Sequence, residues 1–150
     1  MWKRLGLVSL VALGTSACDL STKRWAIQAT ASGARTLIPG LLELVHWENP
    51  GAAFNFLSGL PNSSRPLVLS GVKIVLISGM LLIALRSRLT WVQRLCLGLL
   101  IGGALGNLAD RLMRGTVTDF LYLHHGGWHW PAFNVADVAI SVGVAILALG

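Results

Sequence analysis

Residues 66–85 read PLVLSGVKIVLISGMLLIAL. That is close to the ~20 residues a helix needs to cross roughly 30 Å of hydrocarbon at ~1.5 Å per residue. A helix in a water-soluble bundle keeps a polar stripe, and this run is apolar nearly all round. Three more apolar runs lie outward from it: Leu5–Leu20, Val92–Leu108 and Pro131–Gly150. The first and third are short and extend into their flanks, so the expected spans are about 5–25, 66–85, 91–109 and 131–150. The fold class read here is a membrane all-α core of four transmembrane helices.

The composition agrees. The chain has 150 residues, which suits a single domain over 1–150; 54% are hydrophobic and only 12% charged. Soluble domains carry roughly 25% charged residues. With a mean hydropathy of +0.68, an ordinary soluble domain and a disordered chain are both excluded. The net charge is +6, but the basic residues come in ones and twos, so no nucleic-acid partner is expected. Cys18 and Cys96 sit in apolar segments and frame no disulfide scaffold.

Orientation follows from where Lys and Arg crowd. Lys3, Arg4, Arg86, Arg88 and Arg94 pack into the short stretches 1–4 and 86–94. Lys23, Arg24, Arg35, Arg65, Arg111 and Arg114 are spread over the long connections 21–65 and 109–130. Both termini are therefore expected inside and both long connections outside. Trp2 and Trp91 fall near inner ends, and Trp25, Trp128 and Trp130 near outer ends, as an interfacial belt would. The N-terminus invites a competing reading, because Lys3-Arg4, an apolar run and Gly14-Thr15-Ser16-Ala17-Cys18 resemble a lipoprotein signal peptide. Thr15 stands where Leu is usual and three further spans follow, so the first helix is read as retained.

The outer connections carry structure of their own. Leu42–Trp47 and Thr116–His124 read as short strands, Asn49-Pro50-Gly51 as a turn, and Ala52–Leu60 as a short helix on the membrane surface. On the third span Gly98, Gly102 and Gly106 recur every four residues, a close-packing face. Ser70-Gly71 and Ser78-Gly79 also read as packing positions, and Lys73 as a side chain that snorkels to the outer interface.

With only six acidic residues, their positions are informative. Glu43 and Glu48 look solvated. Asp19 ends the first span, Asp110 follows the third, Asp119 lies in an expected strand, and Asp137 lies about six residues, or roughly 9 Å, into the fourth. A carboxylate at that depth is costly and points to function. Asn134, Asp137 and Ser141 form one polar stripe, Asn107 and Arg111 share a helix face, and Asp110 is expected to pair with Arg111 or cap backbone groups. Arg65 and Arg114 are read as contacts to lipid phosphate. Two aspartates meeting at a membrane surface suggest acid–base chemistry, because like charges that close cannot both ionise. The ionised member takes a proton from water while the protonated one hydrogen-bonds a carbonyl. That chemistry needs no metal or cofactor. A transporter using His124, His125 and His129 with Asp119 as metal ligands is the competing class, but no H-E-x-x-H appears and Gly126-Gly127 suggests a solvated loop.

Five motifs, in order, resemble those of the bacterial lipoprotein signal peptidases, the signal peptidase II family. They are Asp19-Leu20-Ser21-Thr22-Lys23, then Asn49-Pro50-Gly51-Ala52-Ala53-Phe54, then residues 102–111 (GGALGNLADR), then Val117-Thr118-Asp119-Phe120 and Phe133-Asn134-Val135-Ala136-Asp137. The resemblance implies an aspartic endopeptidase of the bacterial inner membrane. It would cleave before the diacylglyceryl-modified cysteine of a prolipoprotein, near the extracytoplasmic face. It implies Asp119 and Asp137 as the catalytic dyad, Asn134 as its support, and Asn49, Gly51, Asn107 and Arg111 as substrate-side positions. Asp19, Lys23 and Asp110 are implied as architecture. No cofactor or metal is implied; the partners are the prolipoprotein and membrane lipid, and the enzyme is expected to act as a monomer. The family fold adds a small extracytoplasmic β-sheet cradle and a surface helix. The chain stops at Gly150 without a basic tail, and Cys18 precedes Asp19.

Overall fold

The computed structural model describes residues 2–51, 61 and 64–149, with side chains from Leu5 onward. The expected surface helix Ala52–Leu60 lies outside the described residues. The element order is α1 (Trp2–Ala29), β1 (Arg35–Ile38), β2 (Leu42–Asn49), α2 (Arg65–Arg86), α3 (Trp91–Arg114), β3 (Val117–His125), β4 (Trp128–His129) and α4 (Val135–Leu149). Three helical stretches, Leu5–Ala29, Arg65–Arg86 and Trp91–Arg114, are long and apolar enough to cross a membrane.

The helix bounds correct three expectations. First, α1 continues to Ala29, so Asp19 sits well inside the helix and does not end it. Second, α3 runs on to Arg114, which puts Asp110 within the helix; Gly115 stops it in a left-handed conformation, φ 80°. Third, α4 starts only at Val135 and has 15 residues. Phe133 lies beside β3 instead, its carbonyl accepting from the Leu121 N–H at 2.9 Å and its N–H donating to the Leu121 carbonyl at 3.0 Å. Residues 131–134 are thus extended, and Asp137 belongs to the first turn of its helix rather than to a depth of roughly 9 Å.

The central helix is α3. Its N-terminus is closed by a reciprocal pair, the Thr90 hydroxyl accepting from the Gln93 N–H while the Gln93 side chain accepts from the Thr90 N–H. Gly98, Gly102 and Gly106 face α1, as the four-residue spacing predicts. A Cβ on Gly102 would lie 2.6 Å from the Ala12 carbonyl oxygen, and one on Gly106 would lie 2.5 Å from the Asp19 carboxylate. Gly103, on the other side, meets the Ala136 carbonyl of α4 at 2.6 Å in the same sense. Backbones this close leave no volume for a methyl group. Gly102→Ala is therefore expected to cost about 1–3 kcal/mol, read as a lowered thermal midpoint in detergent. An unchanged midpoint would mean that α1 and α3 can separate freely. The core between these helices is Val8, Ala12, Leu97, Ile101 and Leu108, joined by Ile77 and Ala84 of α2. Among the described residues α2 packs on α1 and α3, while its backbone stays more than 8 Å, Cα to Cα, from that of α4.

A four-stranded antiparallel sheet, ordered β1-β2-β3-β4, joins the helices at one end. The strands expected over Leu42–Trp47 and Thr116–His124 are present; β1 and β4 were not foreseen. His124, His125 and His129, read as a loop, lie on β3 and β4. Leu44 and Phe120 pack the sheet against Ala26 of α1. Between Leu44 and Trp47 the β2 register slips, so that Leu44 faces Leu121 while Trp47 faces Asp119. This one-residue bulge reverses the alternation, bringing Asn49 to the same sheet face as Leu44 and Asp119.

Candidate active site

Asp119 and Asp137 meet through a single amide. Asn134 precedes α4, and its Oδ1 accepts from the Asp137 N–H at 3.0 Å while the Asp137 carboxylate accepts from the Asn134 N–H at 3.3 Å. Asn134 and Asp137 thus cap the helix reciprocally, which satisfies N–H groups that a helix start leaves unpaired. With its oxygen committed, Asn134 turns its NH2 outward and donates to Asp119 Oδ1 at 2.6 Å and to the Thr118 carbonyl at 3.2 Å. Asn134 is wholly buried, so this orientation has no solvent alternative. Asn134 and Asp137 were read as part of a helical stripe with Ser141; Asn134 is the cap, and Ser141 is exposed.

Two more amides are fixed in the same way. Asn49 accepts from the Gly51 N–H at 2.8 Å and donates from its NH2 to Asp119 Oδ2 at 2.9 Å. Gly51 has φ 87°, and a Cβ there would collide with Leu69 and with Arg111 Nη1. Asn107 accepts from Lys23 Nζ at 2.8 Å and donates to Asp137 Oδ1 at 2.9 Å. Lysine is only a donor, so it dictates which end of Asn107 faces the aspartate. All four carboxylate oxygens of the pair therefore accept hydrogen bonds. Burial pushes the Asp119 carboxyl up to about 6, and the nearby Asp137 charge pushes the same way. The hydrogen bonds from Asn49 and Asn134 hold it back.

Behind the pair lies a buried ion cluster. Lys23 lies 2.8 Å from Asp19 Oδ2 and 3.6 Å from Asp110 Oδ2. Asp19 Oδ1 accepts from the Ala136 N–H at 2.9 Å, which ties α1 to the first turn of α4. Asp110 Oδ2 accepts from the Thr118 N–H at 2.7 Å, which ties α3 to β3. Asp110 pairs with Lys23 and with Arg114, at 3.1 Å, and not with Arg111 as expected. Arg114 is thus an ion-pair partner of Asp110 whose side chain stays partly exposed. The i,i+4 spacings Asp19–Lys23 and Asp110–Arg114 were the available signal. Arg111 instead reaches the Pro50 carbonyl at 3.3 Å, and its buried Nε has no partner among the described residues.

Two clefts open beside the pair. One, of about 290 Å³, is lined by Trp47, Asn49, Pro50, Asp119 and Pro131. The other, of about 220 Å³, is lined by Trp130, Phe133, Asp137 and Ser141. His124, expected in the competing reading to hold metal, lies 3.3 Å from Glu43 and stacks on Tyr122. No three His, Cys, Asp or Glu side chains converge among the described residues.

Amide-tied Asp119, buried, and Asp137, half-buried, thus sit where apolar helices meet the sheet, and comparison with known proteins gives the class, an aspartic peptidase of the membrane. The same comparison makes the assignment particular. A family model described as signal peptidase (SPase) II matches residues 11–150. A lipoprotein signal peptidase of Sulfurihydrogenibium sp. (strain YO3AOP1) is 42% identical over 130 residues, covering 85% of this chain and 80% of its own. One of Solibacter usitatus (strain Ellin6076) is 40% identical over 153 residues, covering 99% and 89%. A bacterial membrane enzyme solved by the in meso method is similar in structure, with a TM-score of 0.81 at 28% identity over 97% of this chain and 87% of that one. The chain belongs to the signal peptidase II family, and it is an integral membrane protein of bacterial type.

Proposed function

We propose that this chain removes signal peptides from bacterial prolipoproteins by cutting before the diacylglyceryl-modified cysteine, with Asp119 and Asp137 sharing one proton. The observation that carries the reading is the bridge from Asp137 through Asn134 to Asp119. The ionised carboxylate draws a proton from water as the water oxygen attacks the scissile carbonyl, and the protonated partner hydrogen-bonds the carbonyl oxygen. Collapse breaks the C–N bond. The water oxygen ends in the signal peptide's new carboxylate, and both water hydrogens end on the cysteine's new ammonium. Asn107, Asn134 and Asn49 hold the two carboxyl groups in place throughout. Arg111, with unspent donors, and Asn49, which lines a cleft, meet the substrate backbone together with Gly51 and Asn107.

The proposal includes the topology. All of 1–150 acts as one domain in the cytoplasmic membrane, both termini inside, with the sheet as an extracytoplasmic cradle. Membrane lipid is its surroundings and a monomer its working form. The fourth span is α4; its 15 residues reach only ~22 Å, so it crosses with residues 131–134 and the sheet completing its outer end. Asp137, in the first turn, then sits just under the interface, where a cleavage point after a membrane helix also lies.

The test is cleavage by the purified protein of a diacylglyceryl-modified prolipoprotein and of its unmodified precursor. Only the modified form is expected to be cut; cleavage of neither would end this reading. The pH profile adds a second arm. A carboxyl raised to about 6 keeps the pair singly protonated up to that pH, and above it both members ionise. kcat/KM is therefore expected to fall as pH rises through about 6. A flat profile from about pH 5 to about 7.5 would count against a shared proton.

A further inference from the structure

Lys73 is a charged side chain that the mechanism above leaves unused. It lies on α2, in the part of that helix long and apolar enough to cross a membrane. A cation there points to function, with its partner to be named. The sequence alone suggests a side chain that snorkels to the outer interface, and the structure sets its stem in a groove on the way there. Because the α2 and α4 backbones stand apart, this groove opens between them. It is floored by Leu100 and Ala104, walled by Leu76, Met80 and Ile140, and encloses about 200 Å³. Among the described residues that line the groove, Lys73 alone is charged, and its stem forms part of the wall. One helical turn nearer the sheet, Leu69 adjoins Gly51 and Arg111. The charges that act on Lys73 are those of Arg111, Asp137, Lys23 and Asp119, all at the site. Lys73 makes no hydrogen bond or ion pair among the described residues.

Resting on the proposed reaction, we propose that Lys73 is the cationic subsite for the carboxyl end of the signal peptide, holding its last carbonyl oxygens before the cut and its new carboxylate afterwards. The groove is apolar, and its lining residues Ala104 and Ile140 lie about one helical turn from Asn107 and Asp137, so a peptide helix lying in it brings its C-terminal end to the dyad. A helix end leaves its last carbonyls unpaired and carries partial negative charge. Among the described residues lining the groove, no other side chain can donate to them. Hydrolysis then turns one of those carbonyls into a carboxylate beside an ionised aspartate. An unpaired ammonium at that point offsets the repulsion and keeps the product bound.

The test compares two synthetic signal peptides that differ only at the C-terminus, one a carboxylate and one an amide. Both are measured by displacement of a fluorescent peptide from the full-length protein in detergent. Wild type is expected to bind the carboxylate at least about tenfold more tightly than the amide, Lys73→Met to bind the two alike, and Lys73→Arg to keep the preference. Lys73→Met is also expected to raise KM more than it lowers kcat. A tenfold preference that persists in folded Lys73→Met would assign the anion to Arg111 and overturn the inference. So would a wild type without any preference, which requires no variant to fold. Binding is read without turnover, so failure to cleave a lipidated precursor would count against the proposed reaction and leave this comparison to be decided by itself.

Discussion

Asp119→Asn and Asp137→Asn, made separately, are each expected to reduce cleavage of the lipidated precursor by about a thousandfold or more. Each change preserves shape and removes one titrating carboxyl, so the pair can no longer hold one proton and one charge. The folded state should tolerate both. At Asp137 the new side chain still offers an oxygen to the helix cap, and its NH2 then faces the NH2 of Asn107. At Asp119 both oxygens accept from amide NH2 groups, of Asn49 and Asn134, so one new NH2 is set against another donor. That conflict costs about 1–3 kcal/mol, partly offset by removing a charge that burial disfavours. Thermal midpoints in detergent separate loss of fold from loss of chemistry. Near-normal activity in either folded variant would end the two-aspartate mechanism.

Lys23→Met is expected to produce the largest loss of stability, about 3–5 kcal/mol. Lys23 is 2% exposed, and its removal strands the Asp19 carboxylate, wholly buried, with no compensating cation. Asp110 keeps Arg114, so most of the penalty falls on Asp19. Activity is expected to vanish as well, because Asn107 loses the donor that fixes its amide. The double variant Asp19→Asn/Lys23→Met separates the two effects. It should recover much of the thermal midpoint, since the stranded charge is gone, yet stay inactive. Recovery of both would reduce Lys23 to a structural counter-ion.

The sequence made the apolar helices, two of the four strands and the acidic motif positions legible, because each leaves a local signature. Twenty apolar residues need no tertiary context to be read as a span; a short apolar run marked β2, and alternation of β-branched and aromatic residues marked β3. What stayed hidden was set by long-range contact. Lys23 and Asn107 are 84 residues apart, and nothing in either motif shows that one orients the other. The start of α4 was misplaced because Pro131 to Asn134 is apolar enough to extend the helix, while the pairing of Phe133 with Leu121 was invisible. β1 was missed since all four of its residues are exposed and show no alternation. Of the two roles expected for Asp110, the contact to a backbone N–H holds, at Thr118, while its ion-pair partner on the helix is Arg114, one turn on, and not Arg111.

The parting of α2 from α4 bears on how the enzyme is supplied. A channel sealed on all sides must be fed from water, one desolvated substrate at a time. A slot open along the flank of the bundle takes a helix that never leaves the bilayer, so no hydrophobic segment is pulled into solvent on the way in. The encounter is then a search in two dimensions. The quantity that governs occupancy is copies of precursor per lipid, not moles per litre, and the same number of molecules in a larger membrane is a more dilute substrate.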